Sequence, residues 1–327
     1  MKVYDVPTLV DKMLEKKYLL DMGKGSISKR FNVTKEEVIA AKRIAKNIIM
    51  FGTEYHPNDV SFRKVLNKFP KILIFDIETS PSMTYTWGRF KQNIGLHQVI
   101  QDPIMLTWSA KWLYSTEIIS DAITPEEVRE FDDFRITASL WRLLDEADVV
   151  VAHFGDRFDI PMLNSRAIVH GLVPYTSVKS IDTKQVASSQ FKFPSNKLDA
   201  LATYFNLAGK LGTDFSLWKN CLAGDKEAID KMREYNNQDV ILLEEVYLRL
   251  RPWIRSHPNA GIYMENDNTV CACCGSDNVY IIPNKFYHTQ TTKYPVYRCK
   301  NCGGLTRGRR TVLKKEVSKV LGTSIPR

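Results

Sequence analysis

A chain of 327 residues has room for two domains, or one large domain with small attachments, which excludes a single small module. Its 44% hydrophobic and 25% charged residues exclude wholesale disorder and collagen-like or coiled-coil architectures. The net charge of +9 is concentrated at both ends while the middle is mildly acidic, which suits a polyanion at the flanks and cations in the centre; a solubilising excess is the plainer reading of the total alone.

No stretch approaches the ~20 apolar residues of a membrane span, and MKVYDVPTLVDK lacks the apolar core of a signal peptide. A cytoplasmic location and no membrane partner are therefore expected. Residues 1–60 read as helical: Leu9, Val10, Met13, Leu14, Leu19 and Leu20 recur at helical spacing, and Gly23-Lys-Gly25 is expected to end the run. A short helix at Ser26–Phe31, a turn at Asn32-Val-Thr34 with an N-cap, and a longer helix from Lys35 to Ile49 trace a helix-turn-helix. An ordinary helical hairpin fits these residues equally well. FGTEYHPNDVSF, rich in Gly, Pro and Asn, reads as a linker.

At Lys71 the period changes. KILIFDIE is apolar on both faces, the mark of a central strand covered on each side. Strands are expected at Ile104–Trp112, Ser115–Ala122, Asp148–Ala152 and Ser180–Asp182. Helices are expected at Pro125–Ala147, after Ile160-Pro161, at Asn196–Phe205 and at Lys226–Leu250. The alternation makes residues 71–258 an α/β domain. Residues 262–327 form a small tail with β-like runs at Val279–Ile282 and Tyr294–Arg298.

Asp76 and Glu78, two apart on a strand, project from the same face. Two carboxylates among Ile, Leu and Phe repel each other unless a cation neutralises them, and a hard divalent ion with oxygen ligands is the usual solution. A strand end emerging into water is the competing reading. Asp159 follows a buried strand and a glycine-containing turn; before Ile160-Pro161 it reads equally as a helix N-cap. In REYNNQDVILLEEVYLRL, Tyr235, Asp239, Leu243, Val246 and Leu250 share one helical stripe, so Asp239 faces inward and needs a partner. Asn236, Asn237 and Gln238 read as surface residues.

Phe75-Asp-Ile-Glu78, His153-Phe-Gly-Asp-Arg-Phe-Asp159 and Tyr235-Asn-Asn-Gln-Asp239, in that order over roughly residues 71–255, resemble the three motifs of the ribonuclease H-like exonuclease superfamily, tyrosine (DEDDy) subclass. The layout, with its Cys-x-x-Cys tail, is similar to exonucleases of tailed phages. Phe154 stands where the second motif often carries Asn. The resemblance implies a ribonuclease H-like mixed sheet flanked by helices and 3′–5′ hydrolysis of DNA phosphodiesters with two Mg²⁺ or Mn²⁺ ions. Asp76, Glu78 and Asp239 would bind the nucleophile-side ion, Asp76 would bridge to the second, Asp159 would support that second ion, and Tyr235 would orient the attacking water or the scissile phosphate. The implied partners are single-stranded DNA or DNA 3′ ends and a polymerase or replisome; for a phage protein the location is the host cytoplasm. The alternatives are an RNA exonuclease, a structure-selective endonuclease, or a catalytically silent DNA-binding or recruitment factor. Phe191, Phe193, Lys197 and Lys210 are candidate strand contacts, with core packing a strong competitor for the two rings.

Cys271-Ala-Cys-Cys274 and Cys299-Lys-Asn-Cys302 have the two-pair spacing of a tetrahedral Zn²⁺ site, with glycines where each knuckle turns. Cys273 or His288 are possible substitute ligands. The segment resembles the four-cysteine zinc ribbons, whose metal stands in for a core too small to be stable alone. Arg298, Lys300, Arg307, Arg309, Arg310, Lys314 and Lys315 make it a candidate nucleic-acid-binding attachment; a structural or protein-binding ribbon is the competitor.

Overall fold

The computed structural model describes residues 6–20, 22–35, 37, 38, 41, 42, 45, 69–207, 212–264 and 268–323. Most of the expected helix Lys35–Ile49, the linker and Lys210 lie outside them. The chain divides into two compact units, Pro70–Pro258 and a second formed by Met1–Phe69 with Asn259–Arg327.

The larger unit is built on a five-stranded mixed sheet of order β5-β4-β1-β6-β7. Its strands are β1 (Ile72–Thr79), β4 (Met105–Trp112), β5 (Ile119–Ala122), β6 (Val149–Ala152) and β7 (Lys179–Asp182). β1 pairs antiparallel with β4 and parallel with β6, and β6 runs parallel to β7. β1 is central because it is apolar on both faces: Leu73, Ile74 and Phe75 are fully buried, each stabilising the fold by roughly 1.5–3 kcal/mol. β2 (Met83–Thr84) and β3 (Val99–Gln101) form a separate antiparallel pair between β1 and β4.

Where a single helix is expected over Pro125–Ala147 there are two, α3 (Pro125–Glu130) and α4 (Phe134–Glu146). Phe131 turns left-handed (φ 53°), and fully buried Asp133 leaves the helical ladder to accept from the Met105 amide, Arg166 and His170. Burial opposes ionisation of Asp133, but these donors outweigh it and hold its carboxyl below the usual carboxylate range. There follow α5 (Asp159–Val169), α6 (Thr183–Gln190), α7 (Leu198–Tyr204) and α8 (Phe215–Leu222). The 25-residue α9 (Lys226–Leu250) starts where the Asp225 side chain accepts from the Glu227 amide, and it buries Met232, Tyr235, Asp239, Leu243, Val246 and Leu250 along one stripe.

In the second unit α1 (Val6–Glu15) precedes α2 (Lys24–Phe31). Lys24 and Gly25 therefore open a helix instead of ending one. Asn32 closes α2 in the left-handed conformation (φ 52°), and Thr34 and Glu37 exchange side-chain-to-amide bonds that start the next helical turn. Leu9, Met13, Ile27 and Val38 share a small core. The tail carries a three-stranded antiparallel sheet of order β10-β9-β8: β8 (Val279–His288), β9 (Lys293–Cys299) and β10 (Leu305–Arg307), ahead of a short α10 (Lys315–Lys319).

Candidate functional site

Asp76 and Glu78 leave the C-terminal half of β1, and Asp239 faces them from α9. One carboxylate oxygen from each lies within 4.8 Å of the others. Both β1 carboxylates are half-buried and Asp239 is buried. Three carboxylates this close repel strongly unless cations compensate, and their hard oxygen donors fit Mg²⁺ or Mn²⁺.

Asp159, Tyr235, Asp76, Glu78 and Asp239 together line one cleft of about 540 Å³, with His153, Phe154, Lys184, Lys197 and Thr213. The cleft lies at the carboxyl ends of parallel β1 and β6, where an open α/β sheet leaves a crevice. Asp159 does not cap α5: that position is Phe158, and Asp159 is in the first helical turn, where its Oδ1 accepts from the Ile77 amide at 3.0 Å. Burial pushes its carboxyl up to about 7, opposed by the Ile77 amide and its own, with the charge of Asp182 adding to the rise.

The turn that brings Asp159 to the cleft is tightly specified. A Cβ on Gly155 would stand 2.4 Å from that of Ala152, so no larger residue fits. Phe154 is held left-handed (φ 75°) with its amide donating to Asp182 Oδ1 at 3.0 Å. The same oxygen accepts from Lys184 and Gln185 at the start of α6. A cation covers the Phe154 ring: Lys184 Nζ sits 3.9 Å from its centroid.

Asn236 is fully buried, against the expected surface role, and donates from Nδ2 to Asp76 Oδ2 at 2.6 Å. Asn237 is half-buried and accepts from Ser109, while Gln238 is exposed. Tyr235 meets Trp218 edge to face, ring centroids 6.4 Å apart. Phe191 and Phe193, both half-buried, stack on each other, with Trp253, Tyr204 and Phe205 around them, and of that stretch Lys197 lines the cleft. Lys184 and Asn236 carried no motif signal, because their partners lie far away in the chain.

In the tail, Cys271, Cys274, Cys299 and Cys302 bring their sulfurs within 4.8 Å of one another. Cys271 and Cys302 are 3.5 Å apart and Cys274 and Cys299 3.6 Å. The thiols of Cys273, Cys274, Cys299 and Cys302 hold Cys271 far below the usual thiol range, and none of the six cysteines is in a disulfide. Four soft donors so placed fit Zn²⁺. Cys273 is buried beside the knuckle but outside the group of four, and His288 sits at the far end of β8 opposite Lys293.

Among solved structures, a family B DNA polymerase from the hyperthermophilic archaeon Pyrobaculum calidifontis is similar at a TM-score of 0.41 and 14% identity, over 56% of this chain. The chain spans 25% of that polymerase's length. No curated protein matches. The sequence model of the RNase H superfamily matches residues 73–251, more than half of the chain, on the mixed sheet and helices that carry the carboxylates: the chain belongs to the RNase H superfamily.

Proposed function

We propose that this protein is a metal-dependent nuclease of the tyrosine subclass, removing nucleotides from DNA 3′ ends. The observation that carries the reading is the convergence of Asp76, Glu78 and Asp239 within cation-bridging distance, in a cleft that Asp159 and Tyr235 also line.

In this reading Asp76, Glu78 and Asp239 would hold one Mg²⁺ or Mn²⁺, and Asp159, which lines the same cleft, would help to hold a second. When bound, such ions would lower the pKa of coordinated water and stabilise the attacking and leaving oxygens. Asn236 orients the Asp76 carboxylate. Tyr235, buried except for its cleft edge, positions the attacking water or the scissile phosphate. Lys184 and Lys197 supply positive charge for the phosphates flanking the scissile one. No side-chain nucleophile is required.

Residues 262–327 act as a zinc ribbon that binds nucleic acid, and residues 1–60 as a helical attachment. On the ribbon Arg307 packs over Tyr287 and Tyr294, at 5.3 and 4.6 Å. Rings and cations shared on one small sheet suit a nucleic-acid strand. The resemblance to tailed-phage exonucleases supports a replication or repair role beside a polymerase in the host cytoplasm.

Incubation with Mg²⁺ and end-labelled or circular DNA and RNA tests the reading. Stepwise shortening of linear DNA from the 3′ end is expected. Nicking of circles would assign an endonuclease, preferential RNA degradation an RNA exonuclease, and no hydrolysis with any divalent ion a binding or recruitment factor.

A further inference from the structure

Between β1 and β4 the chain makes an excursion that belongs to neither the core nor the cleft. β2 and β3 pair antiparallel, so the segment leaves and returns as a ribbon. Its neck, next to the two strands, is internally tied: the Tyr85 amide donates to Gln98 O at 2.9 Å. The Gln98 side chain accepts from the Gly95 amide at 2.9 Å and donates to Tyr85 O at 3.0 Å. The neck is braced, and the large side chains face outward. Trp87 is 101% exposed, Leu96 93%, Phe90 84% and Tyr85 73%. Four large apolar side chains left in water within one short segment mark an interaction surface.

The charge pattern identifies the partner. From Ser80 to Gln101 the sequence contains no Asp or Glu, while Arg89 and Lys91 flank Phe90, and both are exposed. Two cations with no carboxylate in the segment leave a positive charge that suits a polyanion. Phosphates neutralise them in place, and unpaired bases offer flat faces to the rings regardless of sequence. Reach is also right: Trp87 lies nine residues after Glu78, so it stands no more than about 30 Å from the carboxylates.

We propose that this ribbon is an arm on which the unpaired bases of the substrate strand stack, with Trp87 and Phe90 as platforms and Arg89 and Lys91 on the phosphates. The inference rests on the nuclease reading, because the strand it holds is the one whose end enters the cleft.

Two measurements on the full chain test it. The first is hydrolysis of a p-nitrophenyl ester of thymidine monophosphate with Mn²⁺, a diester with no strand to stack. The second is the affinity for a labelled oligothymidylate without added Mg²⁺ or Mn²⁺. The double variant Trp87→Ala/Phe90→Ala is expected to bind the strand about tenfold or more weakly, and Trp87→Phe to stay within about threefold of the parent. Both should hydrolyse the ester as the parent does. Arg89→Ala/Lys91→Ala is expected to flatten the salt dependence of binding by about 1.4 in log–log slope.

Unchanged strand affinity in both double variants, with ester hydrolysis intact, overturns the arm. So does parental self-association that Trp87→Ala/Phe90→Ala abolishes while strand affinity stays the same, which assigns the face to a second copy of the chain. A parent that hydrolyses neither ester nor strand sinks the nuclease reading instead, and the binding arm of the experiment still separates the two.

Discussion

Asn236 Nδ2 donates to Asp76 Oδ2 at 2.6 Å from a position with no solvent exposure. Partners that orient a metal-binding carboxylate typically cost 10–100-fold in affinity or activity when removed. Asn236→Ala is therefore expected to raise the Mn²⁺ concentration for half-maximal ester hydrolysis by about that factor, with an unchanged circular dichroism spectrum. An unchanged Mn²⁺ dependence would reduce Asn236 to a packing residue.

One carboxylate oxygen each of Asp76, Glu78 and Asp239 lies within 4.8 Å of the others, close enough for their like charges to repel. Asp76→Asn and Asp239→Asn should each cost on the order of 10²–10³ in hydrolysis, the scale for removing a group that stabilises developing charge. In chelator the same variants should melt higher than the parent, by about 2–4 °C for each 1 kcal/mol of repulsion relieved. Lower activity with a lower melting temperature would point to a structural role for these carboxylates.

These residues differed in how legible they were. Asp76 and Glu78 follow from the two-residue period of a strand whose every other position is apolar, and Asp239 from its place on the stripe Tyr235, Leu243, Val246 and Leu250. Periodicity reports which face a side chain occupies, so it reaches residues that share the pattern of their element. Asn236 sits in a polar run that looks like surface, and its burial is decided by Asp76, 160 residues earlier. The break between α3 and α4 was hidden for the same reason: Asp133 reads as one more charged helical residue until Met105, Arg166 and His170 are placed around it. The arm at β2 and β3 is too short to carry a period. Its exposed Trp87 would pass as core in any count of hydrophobic residues.

Asp159 gives the metal-free protein a distinctive pH dependence. Its folded-state pKa is raised to about 7 by burial, above the unfolded value of about 3.9. Its contribution is fully present below that unfolded value and is lost as pH rises through 7, by about 4 kcal/mol in all. Urea midpoints in chelator should fall from pH 5 to pH 8, and Asp159→Asn should flatten that fall, since Asn can still accept from the Ile77 amide. A parent whose midpoint is constant over this range contradicts the burial argument.

Asp133 acts at the opposite end of the scale. Its folded pKa is depressed, so its contribution is present above the ordinary carboxylate pKa and lost as pH falls through the folded value. Asp133→Asn leaves Arg166 without its buried partner, a change that costs about 3–5 kcal/mol. The variant's stability should also vary less than the parent's below about pH 4. Parallel acid limbs in the two proteins would place the titrating group elsewhere.

The four-cysteine cluster is separable from the cleft by metal chemistry. Colorimetric assay after denaturation should find one Zn²⁺ per chain, absent in Cys274→Ser but retained in Cys273→Ser and His288→Ala, because only the first removes one of the four converging sulfurs. Loss of the ion removes the ribbon's main source of folding energy, so zinc-free protein should bind oligothymidylate more weakly and with a shallower salt dependence, as the basic side chains around Cys299 and Cys302 lose their common scaffold. Ester hydrolysis with Mn²⁺ should persist, since the carboxylates stand on β1 and α9 of the other compact unit. Zinc-free protein that binds the strand as tightly as the parent would leave the ribbon a structural element and shift strand recognition to the arm and the cleft lysines.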